Sequence, residues 1–168
     1  MEHGDTIDIL TYHEGSNISY NSDIKIHRIR KPFGVRGIRP GFSFKKLICD
    51  CFMLAKALSM TKKDRYDIVH AVEESVFTAM LIRRFYGIPY IYDMDSSMPK
   101  QIVEKYPLLY FLLPLMNRFE SQAIRKALAV VPVCDSLDQL ARKRNAKKTV
   151  VLHDISLLKH GGGRSALN

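Results

Sequence analysis

Two short segments of the chain, residues 70–75 and 93–97, carry polar side chains of the kinds that bind ligands. The first reads His-Ala-Val-Glu-Glu-Ser and the second reads Asp-Met-Asp-Ser-Ser. Carboxylates accept hydrogen bonds, hydroxyls donate and accept them, and imidazole does either according to its protonation state. The candidate site residues are His70, Glu73, Glu74, Asp93, Asp95, Ser96 and Ser97.

A strand–helix–strand unit is predicted over residues 66–99, and it contains both segments. Residues 68–72 form a short apolar run that suits a strand covered on both faces. Apolar residues follow at helical spacing, Gly87 is placed to end the helix, and residues 90–92 form a second strand. Such a unit has parallel strands and a right-handed crossover, and parallel sheets bind ligands beyond the carboxyl ends of their strands. Both candidate segments are therefore expected at one edge of a sheet.

Each candidate residue also has a purely structural interpretation. His70 could be a hydrogen-bonded histidine at the end of a strand. Glu73 and Glu74 fall in the first turn of the predicted helix, where the helix dipole favours acids. Ser96 and Ser97 could cap the helix that begins near residue 99. These interpretations stay open beside ligand binding.

The rest of the chain continues the alternation of strands and helices. Further strands are predicted at residues 7–12, 24–29, 129–133 and 149–152, and a helix is predicted at 137–144. This order favours an α/β fold with a Rossmann-like parallel sheet and helices on both faces. We expect one domain over residues 1–158 and a disordered tail over residues 159–168, whose Gly-Gly-Gly-Arg run lacks the strand–turn–helix context of a phosphate loop.

Two helical regions carry apolar residues, and the sequence alone does not determine whether these residues are buried. Ser43 can cap a helix. The predicted helix carries one apolar stripe, which consists of Phe44, Leu47, Ile48, Cys51, Ala55 and Leu58. Between residues 100 and 126, Pro107 and Pro114 divide the chain into helical pieces. The apolar middle, residues 108–115, is expected in the core or in an interdomain contact, with a membrane-facing patch as the alternative. Glu120 is expected on a solvated helix face.

Composition narrows the classes of partner. The chain has 168 residues and a net charge of +9, which favours a membrane surface or a phosphate-bearing ligand. The cations are spread along the chain and no nucleic-acid-binding motif is present, so nucleic acid is not an expected partner. The basic loop at residues 30–42 is either a solvated connection or a flexible loop near a phosphate or lipid headgroup. No signal peptide is visible, and the apolar run at 106–116 is too short to span a bilayer.

Three cysteines, Cys49, Cys51 and Cys134, cannot all pair with one another. Reduced thiols in a cytoplasmic protein are the favoured interpretation. Cys49 and Cys51 form a Cys-x-Cys pair without a second pair of ligands, so a metal site is not expected there.

Several segments, taken in order, resemble the N-terminal half of a GT-B glycosyltransferase of the retaining family four. They are HGD before IDILTY at residues 3–12, YDIVHA at 66–71, GIPYIYD at 87–93, ALAVVPVCDS at 127–136 and VLHD at 151–154. The resemblance covers about residues 3–158. It implies two Rossmann-like domains facing each other across a cleft, with the acceptor on the N-terminal domain and the nucleotide-sugar donor mostly on the C-terminal domain.

The resemblance also implies an activity and roles for the candidates. The full family transfers a sugar from a nucleotide sugar to a polysaccharide or lipid-linked acceptor, keeps the anomeric configuration, requires no metal, and often works at the cytoplasmic face of a membrane. It assigns acceptor binding to the set His70, Glu73, Glu74, Asp93, Ser96 and Ser97. The family often has a histidine at the position that matches Asp95, which is the catalytic candidate by register. A carboxylate cannot act as a neutral donor as imidazole can.

Two family elements have no counterpart in this sequence. The first strand with its Gly-rich turn would precede residue 2, and the C-terminal domain would follow residue 158. We therefore expect a domain truncated at both ends, inactive alone, which needs the donor-binding domain or a separate subunit. The strands at 7–12 and 68–72 would then pair directly or leave a gap with unpaired edges, and the protein would be marginal and prone to aggregation.

Two other functions remain as alternatives. A non-catalytic binding subunit could pair with a separate donor-binding domain. Asp93-Met94-Asp95 is also a D-x-D sequence of the kind that holds a divalent cation in GT-A glycosyltransferases, and two carboxylates suit such a cation. The order of strands favours GT-B over this metal-dependent interpretation.

Overall fold

The computed structural model describes residues 4–15, 23–32, 37 and 43–153. The predicted tail, most of the basic loop at 30–42 and the side chain of Phe44 lie outside these residues. The strands are β1 (Ile7–Thr11), β2 (Ile24–Arg28), β3 (Val69–Val72), β4 (Tyr90–Met94) and β5 (Ala129–Pro132). The helices are α1 (Phe44–Lys63), α2 (Ser75–Tyr86), α3 (Met98–Lys105), α4 (Leu113–Lys126) and α5 (Asp135–Lys143), with a 3₁₀ helix at Pro107–Leu112 between α3 and α4.

The strands form two parallel sheets. One contains β1 and β2, and the other contains β3, β4 and β5 in that order. In the larger sheet Val69 lies opposite Tyr90, and Ile91 lies opposite Ala129. The predicted last strand runs beside β5, because the Val150 amide donates to the Val130 carbonyl. The α/β fold with parallel strands and flanking helices is thus confirmed.

The main core lies on one face of the larger sheet. Tyr90, Tyr92 and Met94 alternate inward along β4 and are fully buried. Residues of α2, α4 and α5 pack against them, and Gly87, with a φ of 76°, ends α2 in the left-handed conformation as predicted. On the opposite face, Val72 remains 46% exposed. The helices of this core therefore leave one face of the sheet open among the described residues.

A gap separates β1 from β3. Each pairs on only one side within the described part of the chain, β1 with β2 and β3 with β4. The Tyr66 hydroxyl, just before β3, donates to Asp8 on β1 at 2.7 Å. Ile7 and Ile9 on β1 are each 40% exposed. Of the two arrangements expected for these strands, the structure has the gap rather than direct pairing.

Helix α1 does not bury the predicted stripe. The Ser43 cap is confirmed, since its hydroxyl accepts from the Lys46 amide at 3.2 Å. However, Leu47 and Ile48 are exposed, whereas Cys49 and Ala57 are buried. Cys49 packs with Ile29 beneath the small sheet, so the face of α1 in contact with β1 and β2 is rotated from the predicted one. The predicted helix is present, but the residues that it buries are not those of the apolar stripe.

The apolar segment at 108–115 is not buried, so its predicted place in the core was wrong. Pro107 begins the 3₁₀ helix and Pro114 lies in the first turn of α4, which confirms the division at the prolines. The segment packs against α3 and α4 as a connection between them. Leu108 is 87% exposed and Phe111 is 72% exposed. No helix in the described ranges is long and apolar enough to cross a membrane.

Candidate functional site

The two candidate segments meet at the carboxyl ends of β3 and β4, as the βαβ unit predicts. His70 Nε2 lies 3.1 Å from Asp93 Oδ2 on the neighbouring strand. The Glu73 amide donates to the Asp93 carbonyl at 3.1 Å, which holds the two strand ends together. His70 and Asp93 lie on the sheet face away from the main core, since the alternate residues of β4 are the buried ones.

Glu73 and Glu74 do not lie in the first turn of a helix, contrary to the prediction. Helix α2 begins at Ser75 with Glu74 as its N-cap, and Glu73 has a φ of 48°. Both carboxylates accept from the Lys46 ammonium, Glu74 at 2.8 Å and Glu73 at 3.2 Å. The left-handed backbone at Glu73 turns the chain so that the two neighbouring side chains reach one cation.

A second pair extends this network toward the small sheet. The Tyr12 hydroxyl, at the end of β1, donates to the Asp50 carboxylate on α1. Burial raises the pKa of Asp50 and the charge of Glu74 adds to it, against the opposing effect of the Tyr12 hydrogen bond. Burial alone would lower the pKa of Lys46, but the hydrogen bonds and charges of Glu74 and Glu73 outweigh it and raise that pKa. Lys46 therefore remains charged between the two glutamates.

Sequence reasoning missed Tyr12, Lys46 and Asp50. Lys46 and Asp50 lie one turn apart on α1, and their spacing carries no motif. The only available signal was their position shortly after Ser43, which caps the amino end of this helix. In a parallel sheet that end lies near the carboxyl ends of the strands.

A cavity opens beside this network, between α1, α2 and α3. Its volume is about 310 Å³. Lys46, Asp50 and Glu74 line its polar end. The rest of its wall is mainly apolar and is formed by Leu47, Cys51, Leu54, Phe77, Leu81, Met98 and Ile102, with Thr78 and Gln101. Two residues of the predicted α1 stripe, Leu47 and Cys51, thus line this cavity.

The predicted serines have different surroundings. Ser97 occupies the N-cap position of α3, but its side chain does not cap the helix. Its hydroxyl donates instead to Glu120 Oε2 at 3.0 Å, and the Met98 amide donates to Glu120 Oε1 at 2.9 Å. The Ser96 hydroxyl is buried and has no hydrogen-bond partner. Ser97 is therefore held away from the cavity, while Ser96 retains its hydrogen-bonding capacity.

Glu120 is 1% exposed, so its predicted place on a solvated helix face was wrong. Besides Ser97 and Met98, the carboxylate accepts from the Arg144 guanidinium, which also donates to Asn117 at 2.8 Å. The buried charge is tolerated because a cation and two further donors surround it. This network joins α3, α4 and the end of α5.

Two further polar residues follow strands, Asp95 after β4 and His13 near the end of β1. Asp95 is exposed just after β4. His13 follows β1, its side chain is 8% exposed, and neither ring nitrogen has a hydrogen-bond partner. Among the described residues, the carboxylate nearest to this imidazole is that of Glu14, whose Oε1 lies 3.7 Å from His13 Nε2, beyond hydrogen-bond distance.

The D-x-D residues do not form part of a metal-ligand cluster. Asp93 already contacts His70, and no group of three or more His, Cys, Asp or Glu residues within the described ranges could hold a metal ion. The three cysteines are unpaired, as predicted.

A parallel α/β domain with polar side chains at the carboxyl ends of its strands has the architecture of the Rossmann-like class. Comparison with known families is more specific. The model of Glycosyltransferase Family 4 matches residues 1–154, so the chain belongs to that family.

Among solved structures, the chain is similar to sucrose-phosphate synthase from Thermosynechococcus elongatus, with a TM-score of 0.66 and 12% sequence identity. The match covers 90% of this chain and 39% of the synthase, so this chain spans well under half of that protein. The match confirms that this chain has the fold of the N-terminal domain of a GT-B glycosyltransferase. No curated protein sequence matches the chain significantly.

Proposed function

We propose that this chain is the acceptor-side domain of a glycosyltransferase that moves a sugar from a nucleotide sugar to a polysaccharide or lipid-linked acceptor. The observation that carries the proposal is the family match over residues 1–154. A C-terminal donor-binding domain, or a separate subunit, supplies the other wall of the cleft and most of the donor contacts. No separate observation favours the alternative that this chain is a non-catalytic binding subunit.

The proposed roles follow from the surroundings of each residue. Glu73 and Glu74, held by Lys46, present acceptor-only oxygens to hydroxyl groups. His70 and Asp93 form a second polar group at the same strand ends. Asp95 is the proposed catalytic residue, because its exposed carboxylate follows β4 directly. Ser97 acts by positioning the start of α3 through Glu120, and Ser96 remains a proposed acceptor contact.

The isolated chain is expected to bind UDP- and GDP-sugars weakly or not at all. One wall of a cleft cannot surround a diphosphate, and an incomplete site loses most of its binding free energy. Calorimetry on the isolated chain, and on the chain fused to the donor-binding domain of another family-four enzyme, provides the measurement. Binding by the fusion alone supports the proposal, whereas low-micromolar binding by the isolated chain contradicts it.

The partner that presents the acceptor is proposed to be an anionic membrane surface. Leu108, Tyr110 and Phe111 project from the 3₁₀ helix and are each at least 67% exposed. The exposed cations Lys100, Lys105 and Arg118 lie on the adjoining helices. Apolar side chains flanked by cations suit the boundary between headgroups and acyl chains of an anionic membrane.

The variant Leu108→Glu/Phe111→Glu is therefore expected to lose most of its binding to vesicles that contain phosphatidylglycerol. Two new carboxylates oppose both apolar insertion and the negative surface. Co-sedimentation is compared with phosphatidylcholine vesicles and with Phe85→Glu, which alters an equally exposed aromatic residue on α2. If the unmodified chain ignores anionic vesicles, or if Phe85→Glu has the same effect, this surface is not the membrane contact.

A further inference from the structure

We propose that the cavity between α1, α2 and α3 binds an uncharged, hydroxyl-bearing ligand that has an apolar portion, and that it rejects phosphate groups. This inference rests on the proposed function, because it specifies the chemistry of the acceptor. It concerns the polar end formed by Lys46, Asp50 and Glu74 and the apolar wall beside it.

The apolar wall is open to solvent although its residues are large. Leu47, Cys51 and Leu54 lie on one side of α1 at helical spacing and face the cavity. Leu47 is 48% exposed, and Leu81, on the α2 side, is 38% exposed. Covering apolar surface is favourable by about 25 cal/mol per Å². A ligand with an apolar portion would therefore gain free energy by covering this wall.

The cavity suits a group of about the size of a sugar ring. Its volume of about 310 Å³ lies near the lower end of the range found for small-molecule sites, which is about 300–1,000 Å³. The cavity is not closed, since Leu47 and Leu81 in its wall are exposed to solvent. A longer ligand could therefore extend beyond it.

The charges at the polar end select against anions. Of the groups that line this end, Lys46 supplies one positive charge and Glu74 and Asp50 supply up to two negative ones. Glu73 is not part of the lining, but its carboxylate lies 3.2 Å from the Lys46 ammonium and adds a further negative charge beside the cavity. If Asp50 is protonated, two carboxylates still face one ammonium, so the local charge is negative in either state. Like charges in partly buried surroundings repel strongly. A phosphate placed here would meet this excess of carboxylates.

The same groups favour hydroxyls. An ionised carboxylate has several lone pairs and only accepts hydrogen bonds, and Lys46 satisfies only part of that capacity on Glu73 and Glu74. Ligand hydroxyls can donate to the remaining positions. The net charge of +9 on the whole chain points toward phosphate, but the charges within this cavity point the other way.

The proposal is tested by NMR titration of the full chain with octyl β-glucoside below its micellar concentration, octyl phosphate and glucose. Octyl glucoside is expected to bind at least about tenfold more tightly than either of the others, a difference of about 1.4 kcal/mol. The variant Leu81→Gln should weaken octyl glucoside binding, while Leu128→Gln, at an exposed leucine outside the cavity, should not. Glu74→Gln should narrow the discrimination against octyl phosphate.

Equal or tighter binding of octyl phosphate would overturn the charge argument. Equal binding of glucose, or an equal loss in Leu81→Gln and Leu128→Gln, would overturn the role of the apolar wall. These outcomes are independent of the calorimetry on the donor-domain fusion. If the fusion binds nucleotide sugars but the chain shows no preference for octyl glucoside, only the proposed ligand class is refuted. If the chain prefers octyl glucoside but the fusion does not bind nucleotide sugars, the cavity chemistry stands and the transferase assignment is refuted.

Discussion

Replacing Glu120 with alanine is expected to lower the free energy of unfolding by about 3–5 kcal/mol, because it leaves the Arg144 guanidinium without its buried partner. It also removes the acceptor of the Ser97 hydroxyl and of the Met98 amide. Domains of ordinary stability have only about 5–15 kcal/mol in total. At about 2–4 °C per kcal/mol, the Tm should fall by about 6–20 °C in thermal denaturation followed by circular dichroism.

The matched control for this substitution is Glu104→Ala, which removes an exposed carboxylate from α3. Its effect should stay within about 0.5 kcal/mol. The double variant Glu120→Leu/Arg144→Met should be more stable than Glu120→Leu alone, because removing both charges leaves neither unpaired. If Glu120→Leu and the double variant have the same Tm, the unpaired charge is not the cause of the lower stability.

A strand–helix segment fused ahead of Met1 is expected to raise the Tm by about 5–20 °C and to reduce aggregation. The facing edges of β1 and β3 have no strand between them among the described residues. Each hydrogen bond made to such an edge contributes about 0.5–1.5 kcal/mol, and a few of them account for this shift. The added helix would also cover Ile7 and Ile9. Differential scanning calorimetry and light scattering give the two readouts.

The control for the fusion carries two prolines within its strand, because proline lacks the amide that pairing requires. This variant has nearly the same length and composition but cannot complete the sheet. The unmodified chain should associate through its open edges as concentration rises. A sharp, monomeric transition at high temperature in the unmodified chain, unchanged by either fusion, would show that the gap carries no cost.

The order of elements and the meeting of the two polar segments could be predicted because local signals determine them. Apolar runs, Gly87 and the parallel connection were sufficient to bring residues 70–75 and 93–97 to one edge of the sheet, and the structure adds that His70 contacts Asp93 there. Lys46 and Asp50 could not be found in this way. Their importance arises only when α1 packs against α2 and β1, which brings Lys46 to Glu74 and Asp50 to Tyr12.

The burial of individual side chains was predicted less well than the positions of the strands and helices along the chain. Glu120 is polar and lies within the core, whereas Leu108 and Phe111 are apolar and lie outside it. The type of a residue determines the free-energy cost of burying it. It does not show whether hydrogen-bond or ion-pair partners compensate that cost. For Glu120 the compensation comes from Arg144, which is 24 residues away in sequence. For the 3₁₀ helix, the prolines predict where the helical pieces begin but not which of their residues are covered.

During synthesis on the ribosome, the strands of the small sheet emerge before those of the larger sheet. The larger sheet, however, is the one that can become stable first. Strands β3, β4 and β5 are consecutive along the chain and in their sheet, and they form the main hydrophobic core with α2, α4 and α5, so the burial that stabilises this sheet does not involve β1 or β2. Strands β1 and β2 emerge earlier, but a two-stranded sheet alone is marginal in water. Their anchors, Asp50 for Tyr12 and Tyr66 for Asp8, are translated later. The nascent amino-terminal strands therefore remain exposed until the rest of the domain follows, and chaperones that bind extended apolar segments have their main opportunity in that interval.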